Sequence, residues 1–178
     1  MSTVGNKTVT ISYAGVTATY EITVEEFIQF SDETIIFKNE GYSNQQNVEN
    51  FAAENFTIKF EKYGNNTSKY YDDKTSLRVY AKTKVIFESK QAFRKIEIVF
   101  GVDDGNNIIT TNTGEYENGV WIGDAKEVIF DVGLNESGEA KGNRRFYSIF
   151  VSFSLESSTP VLDSISLSGT CKTNYYTN

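Results

Sequence analysis

The chain contains 178 residues, with a formal net charge of −7, a single cysteine and no histidine. The negative charge argues against nonspecific binding to nucleic acid or to an anionic membrane surface, because both would repel the chain. With no histidine and one cysteine, a Ser-His-Asp triad, a Cys-His dyad and the usual zinc sites are all impossible.

Strand-forming residues dominate the composition, which includes 13 Phe and 11 Tyr but only one Pro. No stretch keeps a helical apolar period, and none reaches the ~18 consecutive apolar residues of a membrane span. We therefore predict an all-β protein, an antiparallel β-sandwich or jelly roll, with no membrane-spanning segment.

Residues 8–24 predict an N-terminal β-hairpin. Val9, Ile11 and Tyr13 alternate with polar residues and share one face, and a second alternating run follows over residues 16–24. Ala14-Gly15 separates the two runs, and glycine supplies the positive φ that a tight turn requires. Because the hairpin has an apolar face to bury, we expect it to be ordered.

Residues 25–157 predict the main β-sandwich domain. Short strand candidates follow one another, separated by turns rich in Gly, Asn, Asp and Ser, such as Tyr63-Gly64-Asn65-Asn66. In the last strand, the alternation directs Ile149 and Val151 inward. The predicted strands cover residues 34–37, 56–60, 77–81, 84–88, 94–100, 108–111, 119–122, 127–132 and 146–155.

Both ends of the chain resemble parts of one known domain type, the bacterial immunoglobulin-like domain of group 3. VGNKTVTISY at residues 4–13 and the strand at residues 17–24 resemble the end of that domain, and LDSISLSG at residues 162–169 resembles its first strand. The resemblance implies that residues 1–24 are the C-terminal hairpin of one Ig-like module. Residues 158–178 would then be a linker and the first strand of a following module.

The central stretch resembles β-sandwich domains of large surface and secreted bacterial proteins, whose jelly rolls are like those of carbohydrate-binding modules. The resemblance implies a non-catalytic accessory module of a larger exported protein, located extracellularly or at the bacterial cell surface, beside adjacent Ig-like modules. The matching segments are GYSN (41–44), NFTIKF (55–60), KYY (69–71), LRVY (77–80), RKIEIVF (94–100), DGN (104–106), GEY (114–116), WIG (121–123) and GNRR (142–145).

Aromatic residues offer the first candidate binding site. Flat aromatic faces stack on the apolar faces of sugar rings, and the Asn-rich loops could supply polar groups to the hydroxyls. The alternative is that these rings fill and rim the core, which is favoured for Trp121, whereas Tyr70-Tyr71 is predicted to lie in a loop. The aromatic candidates are Tyr70, Tyr71, Tyr80, Tyr116 and Trp121, and Asp72 lies beside the tyrosine pair.

Arg145 is a further candidate ligand-binding residue. The alternation of the last strand places Arg145 and Tyr147 on the same inward face as Ile149 and Val151, where a guanidinium must find a carboxylate or a ligand. An internal ion pair at the end of the sandwich is favoured over contact with a ligand or with solvent.

Asp103, Asp104 and Asn106 form a candidate calcium site, since their oxygens are ligands that calcium accepts. The same residues, with Gly105, also suit a tight hairpin turn, which is favoured because the spacing does not match an EF-hand loop. No other cofactor is predicted.

Catalysis by paired carboxylates is the one enzymatic route that the composition leaves open. Glu97 lies in a predicted strand, but no second carboxylate follows at alternating spacing, so we predict no enzymatic activity. The favoured function is glycan binding through loop aromatics. The alternatives are a structural spacer or adhesion module, which would engage a cell-surface protein or no partner, and a small glycoside hydrolase.

Overall fold

A computed structural model of the chain describes residues 5–24 and 30–153, and within these ranges the regular structure consists of antiparallel strands and two short 3₁₀ turns. The all-β prediction is therefore confirmed. The predicted C-terminal segment, residues 158–178, and the end of the last predicted strand lie outside the described residues.

The predicted hairpin is present as β1 (Gly5–Tyr13) and β2 (Val16–Val24). Ala14 and Gly15 both have positive φ, 48° and 80°, as a two-residue type I′ turn requires. Tyr13 faces Val16 and Val9 faces Tyr20 across the hairpin. The expectation of a buried apolar face is wrong, because Val9 is 39% exposed and Tyr13 is 84% exposed.

The remaining ten strands build the sandwich. Its two 3₁₀ turns are Phe37–Asn39 and Asp72–Lys74. The strands are β3 (Glu33–Ile36), β4 (Asn50–Ala52), β5 (Phe56–Lys62), β6 (Lys69–Tyr71), β7 (Ser76–Tyr80), β8 (Thr83–Phe100), β9 (Asn107–Thr111), β10 (Glu115–Glu117), β11 (Val120–Asn135) and β12 (Asn143–Ser152).

Two long strands, β8 and β11, pass through both sheets. The first half of β8 pairs with β5 and with the second half of β11, and β4 and β9 complete this first sheet. The second half of β8 pairs with β12 and with the first half of β11, and β3, β6, β7 and β10 complete the second sheet. The pairing of β8 with β11 shifts register around Ala125, so segments that the sequence analysis separated are single, irregular strands.

Phenylalanine side chains fill the space between the sheets. Phe87 lies 5.4 Å from Phe130 between ring centroids, and Phe93 lies 5.3 Å from Phe153. All four are no more than 3% exposed. Burial of this kind contributes about 25 cal/mol for each Å² of apolar surface removed from water, so the aromatic content is used mainly for stability.

Candidate functional site

Tyr70 and Tyr71 were predicted to lie in a loop, but they belong to β6, so their side chains point to opposite faces of the second sheet. Tyr70 is turned inward and is 3% exposed, with its ring centroid 5.9 Å from that of Tyr42. Burial raises the pKa of Tyr70, and the charge of Asp72 adds to the increase. Tyr70 is therefore a core residue, and exposed Asp72 begins the 3₁₀ turn that follows.

Trp121 is fully buried and is not part of an aromatic platform. Its indole Nε1 donates a hydrogen bond to the backbone oxygen of Thr113 at 2.6 Å. A Cβ atom at Gly114 or Gly123 would clash with the indole ring, so the two glycines allow the backbone to close around it. Half-buried Tyr116 also packs inward, 5.5 Å from Phe130 between ring centroids.

Tyr71 and Tyr80 are brought together on the outer face of the second sheet. Their hydroxyl oxygens are 3.1 Å apart, and the Arg78 guanidinium carbon lies 4.8 Å from the Tyr80 ring centroid and 5.9 Å from that of Tyr71. The hydrogen bond from Tyr80 lowers the pKa of Tyr71, helped by Arg78, whereas burial raises the pKa of Tyr80. The hydroxyls of Tyr71 and Tyr80 are therefore hydrogen-bonded to each other beside the Arg78 guanidinium.

The inward-facing arginine is Arg144 rather than Arg145. A register shift between Phe146 and Ser148 moves the alternation by one residue, which puts Arg145 on the outer face. Among the described residues Arg145 makes no ion pair, contrary to the prediction, and the pair at this end of the sandwich joins Arg144 Nη2 to Asp104 Oδ2 at 2.7 Å. Arg144 also covers the Phe100 ring, with its guanidinium carbon 3.7 Å from the ring centroid.

Arg145 lies against Tyr71, with its guanidinium carbon 5.5 Å from the ring centroid. It is 9% exposed, and its Nε donates to the backbone oxygen of Asp103 at 3.2 Å. The Nη1 of Arg145 is buried without a hydrogen-bond partner among the described residues. Three of the predicted site residues, Tyr71, Tyr80 and Arg145, therefore form one cluster.

The oxygens of the candidate calcium site are directed to other partners. Asp103 Oδ2 accepts a hydrogen bond from Lys74 Nζ in an ion pair of 2.6 Å, which lowers the pKa of Asp103, and Asp104 is paired with Arg144. The segment is not a hairpin turn either, because β9 pairs with β11 and not with β8. No group of three acidic or sulfur side chains suited to a metal occurs among the described residues.

Three cations lie side by side on the outer face of the second sheet, and we call Lys69, Arg78 and Arg145 the basic row. Arg78 is the cross-strand neighbour of Lys69 on one side and of Arg145 on the other. Among the described residues, no carboxylate lies within ion-pair distance of any of the three. Like charges directly opposite each other across strands destabilise a sheet.

A cleft of about 400 Å³ opens beside the basic row. Its base is formed by Arg78, Tyr80 and Lys82, at and beyond the end of β7. One wall is the β5–β6 loop and the other is the β11–β12 loop. The lining residues are Tyr63, Gly64, Asn65, Asn66, Arg78, Tyr80, Ala81, Lys82, Ala140, Lys141 and Gly142.

Backbone hydrogen bonds fix the walls of the cleft to its base. Tyr63 N–H and Gly64 N–H both donate to the oxygen of Lys82, at 2.9 and 3.2 Å, and Ala81 N–H donates to the oxygen of Gly142 at 3.2 Å. Lys82 has a φ of 63°, so the chain turns sharply at the point where the two walls meet. The cleft is therefore held open by the fold itself.

Tyr63 is the most exposed aromatic side chain of the cleft. It is 54% exposed, and its hydroxyl donates to Asp131 Oδ1 at 2.7 Å. Partial burial and the hydrogen bond to Asp131 raise the pKa of Tyr63 to about 12. The ring is thus held in one orientation by a residue outside the cleft.

The cleft combines the groups that bind a small polar molecule: two tyrosines, two asparagine amides and three cations. Of the predicted site residues, only Tyr80 lines it. The sequence analysis missed Arg78 as a binding residue. The alternation in Leu77-Arg78-Val79-Tyr80 could have revealed it, since two buried residues enclose Arg78 and place it on the same face as Tyr80.

In the part of the chain that the structure describes, no helix has the length and apolar character needed to cross a membrane. Searches of family models, curated proteins and solved structures gave no match to this chain.

Proposed function

We propose that the sandwich is a non-catalytic glycan-binding module and that its ligand occupies the cleft. The observation that carries this proposal is the combination of Tyr63 and Tyr80 with the amides of Asn65 and Asn66 around about 400 Å³ of preformed space. That volume falls within the range of about 300–1,000 Å³ typical of small-molecule sites. The rings suit the apolar faces of a sugar, and the amides suit its hydroxyls.

The wider setting in our proposal is an accessory module of an exported multidomain bacterial protein. This part rests on the resemblance of the chain ends to Ig-like modules and of the centre to surface-protein sandwiches. The antiparallel pairing of β1 with β2 at residues 5–24 supports this part of the proposal.

The test is binding of the full chain to a panel of plant, mucin and microbial glycans, measured by affinity electrophoresis and then by calorimetry. Tyr63→Ala is expected to weaken binding about tenfold, equivalent to about 1.4 kcal/mol. Tyr13→Ala is the matched control, because Tyr13 is 84% exposed and does not line the cleft. Loss of binding in both variants, or no binding to any glycan, would contradict the proposal.

A spacer or adhesion role is the second candidate, and the exposed hairpin supports it. One face of the hairpin presents apolar side chains that are 39% to 84% exposed, which is unusual for a face that contacts only water. Silence across the glycan panel would leave this role as the better explanation. The exposed side chains are Val9, Ile11, Tyr13, Val16 and Tyr20.

A further inference from the structure

The charge of the cleft is opposite to the charge of the chain. The sequence has 24 acidic and 17 basic residues, yet the described residues that line the cleft include Arg78, Lys82 and Lys141 and no carboxylate. A low-dielectric wall with charges of one sign concentrates ions of the other sign. The cleft is thus suited to an anion although the whole molecule repels anions.

The cations at the base of the cleft are also unpaired. Within the described ranges, neither Arg78 nor Lys82 has a carboxylate within ion-pair distance, and Lys141 makes only an exposed pair with Glu139 at 3.1 Å. An exposed pair of this kind contributes little and is readily exchanged for another partner. All three cations are therefore available to a ligand.

The basic row lowers the stability of the folded sheet, because it places like charges on adjacent strands. Lys69 and Arg145 lie on either side of Arg78, and each repels it across the sheet. Arg145 is 9% exposed and has a buried Nη1 without a hydrogen-bond partner among the described residues. A carboxylate in this row would stabilise the sheet by pairing with its neighbours, and the chain contains 24 acidic residues. The absence of carboxylates from the row is therefore not explained by folding stability.

Arg78 has the geometry of a fixed anion-binding group. With the Asn143 amide oriented so that its oxygen faces Arg78, that oxygen accepts from Nη2 at 3.1 Å and from Nε at 3.2 Å. The guanidinium carbon of Arg78 also lies 4.8 Å from the centroid of the Tyr80 ring, in a cation–π contact. A guanidinium has five N–H donors, so three remain for Tyr71 and for a ligand. Carboxylate and sulfate oxygens match this planar fork.

We propose that the ligand of the cleft is an anionic sugar, whose carboxylate or sulfate group binds Arg78 and Lys82 while the sugar ring contacts the tyrosines. This inference rests on the proposed function and specifies its ligand class. Lys141, on the opposite wall, is positioned to bind a second charge or a hydroxyl of the same molecule. The neutral rings and amides alone would not require an anion, so the cations determine the class.

Calorimetry with matched pairs of oligosaccharides tests this inference on the full chain at about 0.15 M salt. One pair is an oligogalacturonide and its methyl ester, and the other is a sulfated galactan oligomer and its desulfated form. At least one charged member should bind about tenfold or more tightly than its neutral counterpart, since hydrogen bonds to a charged group are stronger than those between neutral groups. The pair that shows the difference identifies carboxylate or sulfate as the bound group.

Arg78→Gln should remove this preference by weakening the binding of the charged member about tenfold, so that the charged and neutral members bind with equal affinity. Lys126→Gln is the matched control, because Lys126 is exposed on β11 and does not line the cleft, and its loss changes the net charge equally. Lys82→Gln should reduce the preference in the same way, and it replaces Arg78→Gln if that variant fails to fold by circular dichroism.

Distinct results would overturn the inference. Equal binding of charged and neutral members, lost in Tyr63→Ala, would keep the glycan proposal and overturn the anionic ligand. An equal decrease in Arg78→Gln and Lys126→Gln would show general charge attraction and not a site. Competition by inorganic sulfate at the same concentration as the sugar would show that the anion alone is bound. No binding of any oligosaccharide would overturn both proposals.

Discussion

The Asp104 carboxylate contacts both arginines in the first half of β12, Arg144 and Arg145. Its Oδ2 accepts from Arg144 Nε at 2.8 Å and from Nη2 at 2.7 Å, and its Oδ1 accepts from the Arg145 backbone N–H at 2.6 Å. The side chains of the ion pair are only 17% and 19% exposed. Because water is largely excluded, loss of the carboxylate charge would leave the guanidinium without compensation.

Asp104→Asn is therefore expected to lower the free energy of unfolding by about 2–3 kcal/mol, the contribution of hydrogen bonds to a charged group. Asp103→Asn is the matched control: Asp103 is 60% exposed in its ion pair with Lys74. Asparagine also tolerates the positive φ of 58° at that position. The control should cost less than about 1 kcal/mol. Equal losses in urea denaturation would show that Asp104 has no special role.

The raised pKa of Tyr63 indicates that the protein loses stability at high pH. Its pKa is raised from 10.0 to about 12 by burial and by the hydrogen bond to Asp131, so between these values the folded protein keeps a proton that the unfolded chain has lost. The contribution of this bond is thus complete below pH 10 and disappears as the pH rises towards 12.

Tyrosinate absorbance measured as a difference between wild type and Tyr63→Phe should show this single titration with a midpoint at about 12. Asp131→Asn removes the charge and should move the midpoint downwards. Over the same interval, the stability advantage of the wild type over Tyr63→Phe should shrink. A midpoint that is unchanged in Asp131→Asn would contradict the assigned cause.

At the scale of the element, β11 illustrates how glycine allows a strand to enclose a large ring. Gly123 faces the Trp121 indole so closely that a Cβ atom would clash with the ring carbons Cζ2 and Cη2. Gly133, in the same strand, would place its Cβ 3.5 Å from the oxygen of Ile108, an ordinary contact. Neither glycine has a positive φ, so the two sites differ in space and not in backbone strain.

Gly123→Ala is expected to destabilise the protein by about 1–3 kcal/mol, the cost of overpacking a core, and to change the fluorescence of Trp121. Gly133→Ala should change stability by less than about 1 kcal/mol in either direction. Thermal unfolding of the two variants, followed by circular dichroism, compares them directly. A stable Gly123→Ala variant with unchanged fluorescence would mean that the indole can move aside.

The strands of this protein were largely predictable, but the faces they present were less so. Alternation located β5, β7 and β9 because each is short and regular. Separate strands were predicted at residues 84–88 and 94–100, whereas the chain continues between them as the single strand β8. The register shift after Phe146 moved every side chain before it by one position.

The candidate site was predictable in its residue types and not in its location. Tyr71, Tyr80 and Arg145 were identified and do lie together. Trp121 was named as a candidate although a core position was favoured for it, and it does lie in the core. The cleft needed Tyr63 and Lys82, which are far apart in sequence and are joined by backbone hydrogen bonds between loops. Only the pairing of strands could reveal that neighbourhood.

At the scale of the whole molecule, the two sheets share their central strands. β8 and β11 each contribute one half to each sheet. Unfolding of either sheet would therefore disrupt two strands that the other sheet also contains. Phe87 and Phe93, one from each half of β8, are also in contact, with ring centroids 6.2 Å apart. We therefore expect the sandwich to unfold as one cooperative unit.

A core substitution in the first sheet should consequently lower the unfolding midpoint reported by the fluorescence of Trp121, the single tryptophan of the sequence, which lies in the second sheet. Ile58→Ala removes a fully buried side chain from β5 and should cost about 2–5 kcal/mol. The urea midpoint from Trp121 fluorescence should fall by the same amount as the midpoint from circular dichroism. Ile108→Ala, on a side chain that is 53% exposed, should shift both by little, within about 0.5 kcal/mol. A fluorescence transition that stays at the wild-type midpoint in Ile58→Ala would mean that the sheets unfold separately despite the strands they share.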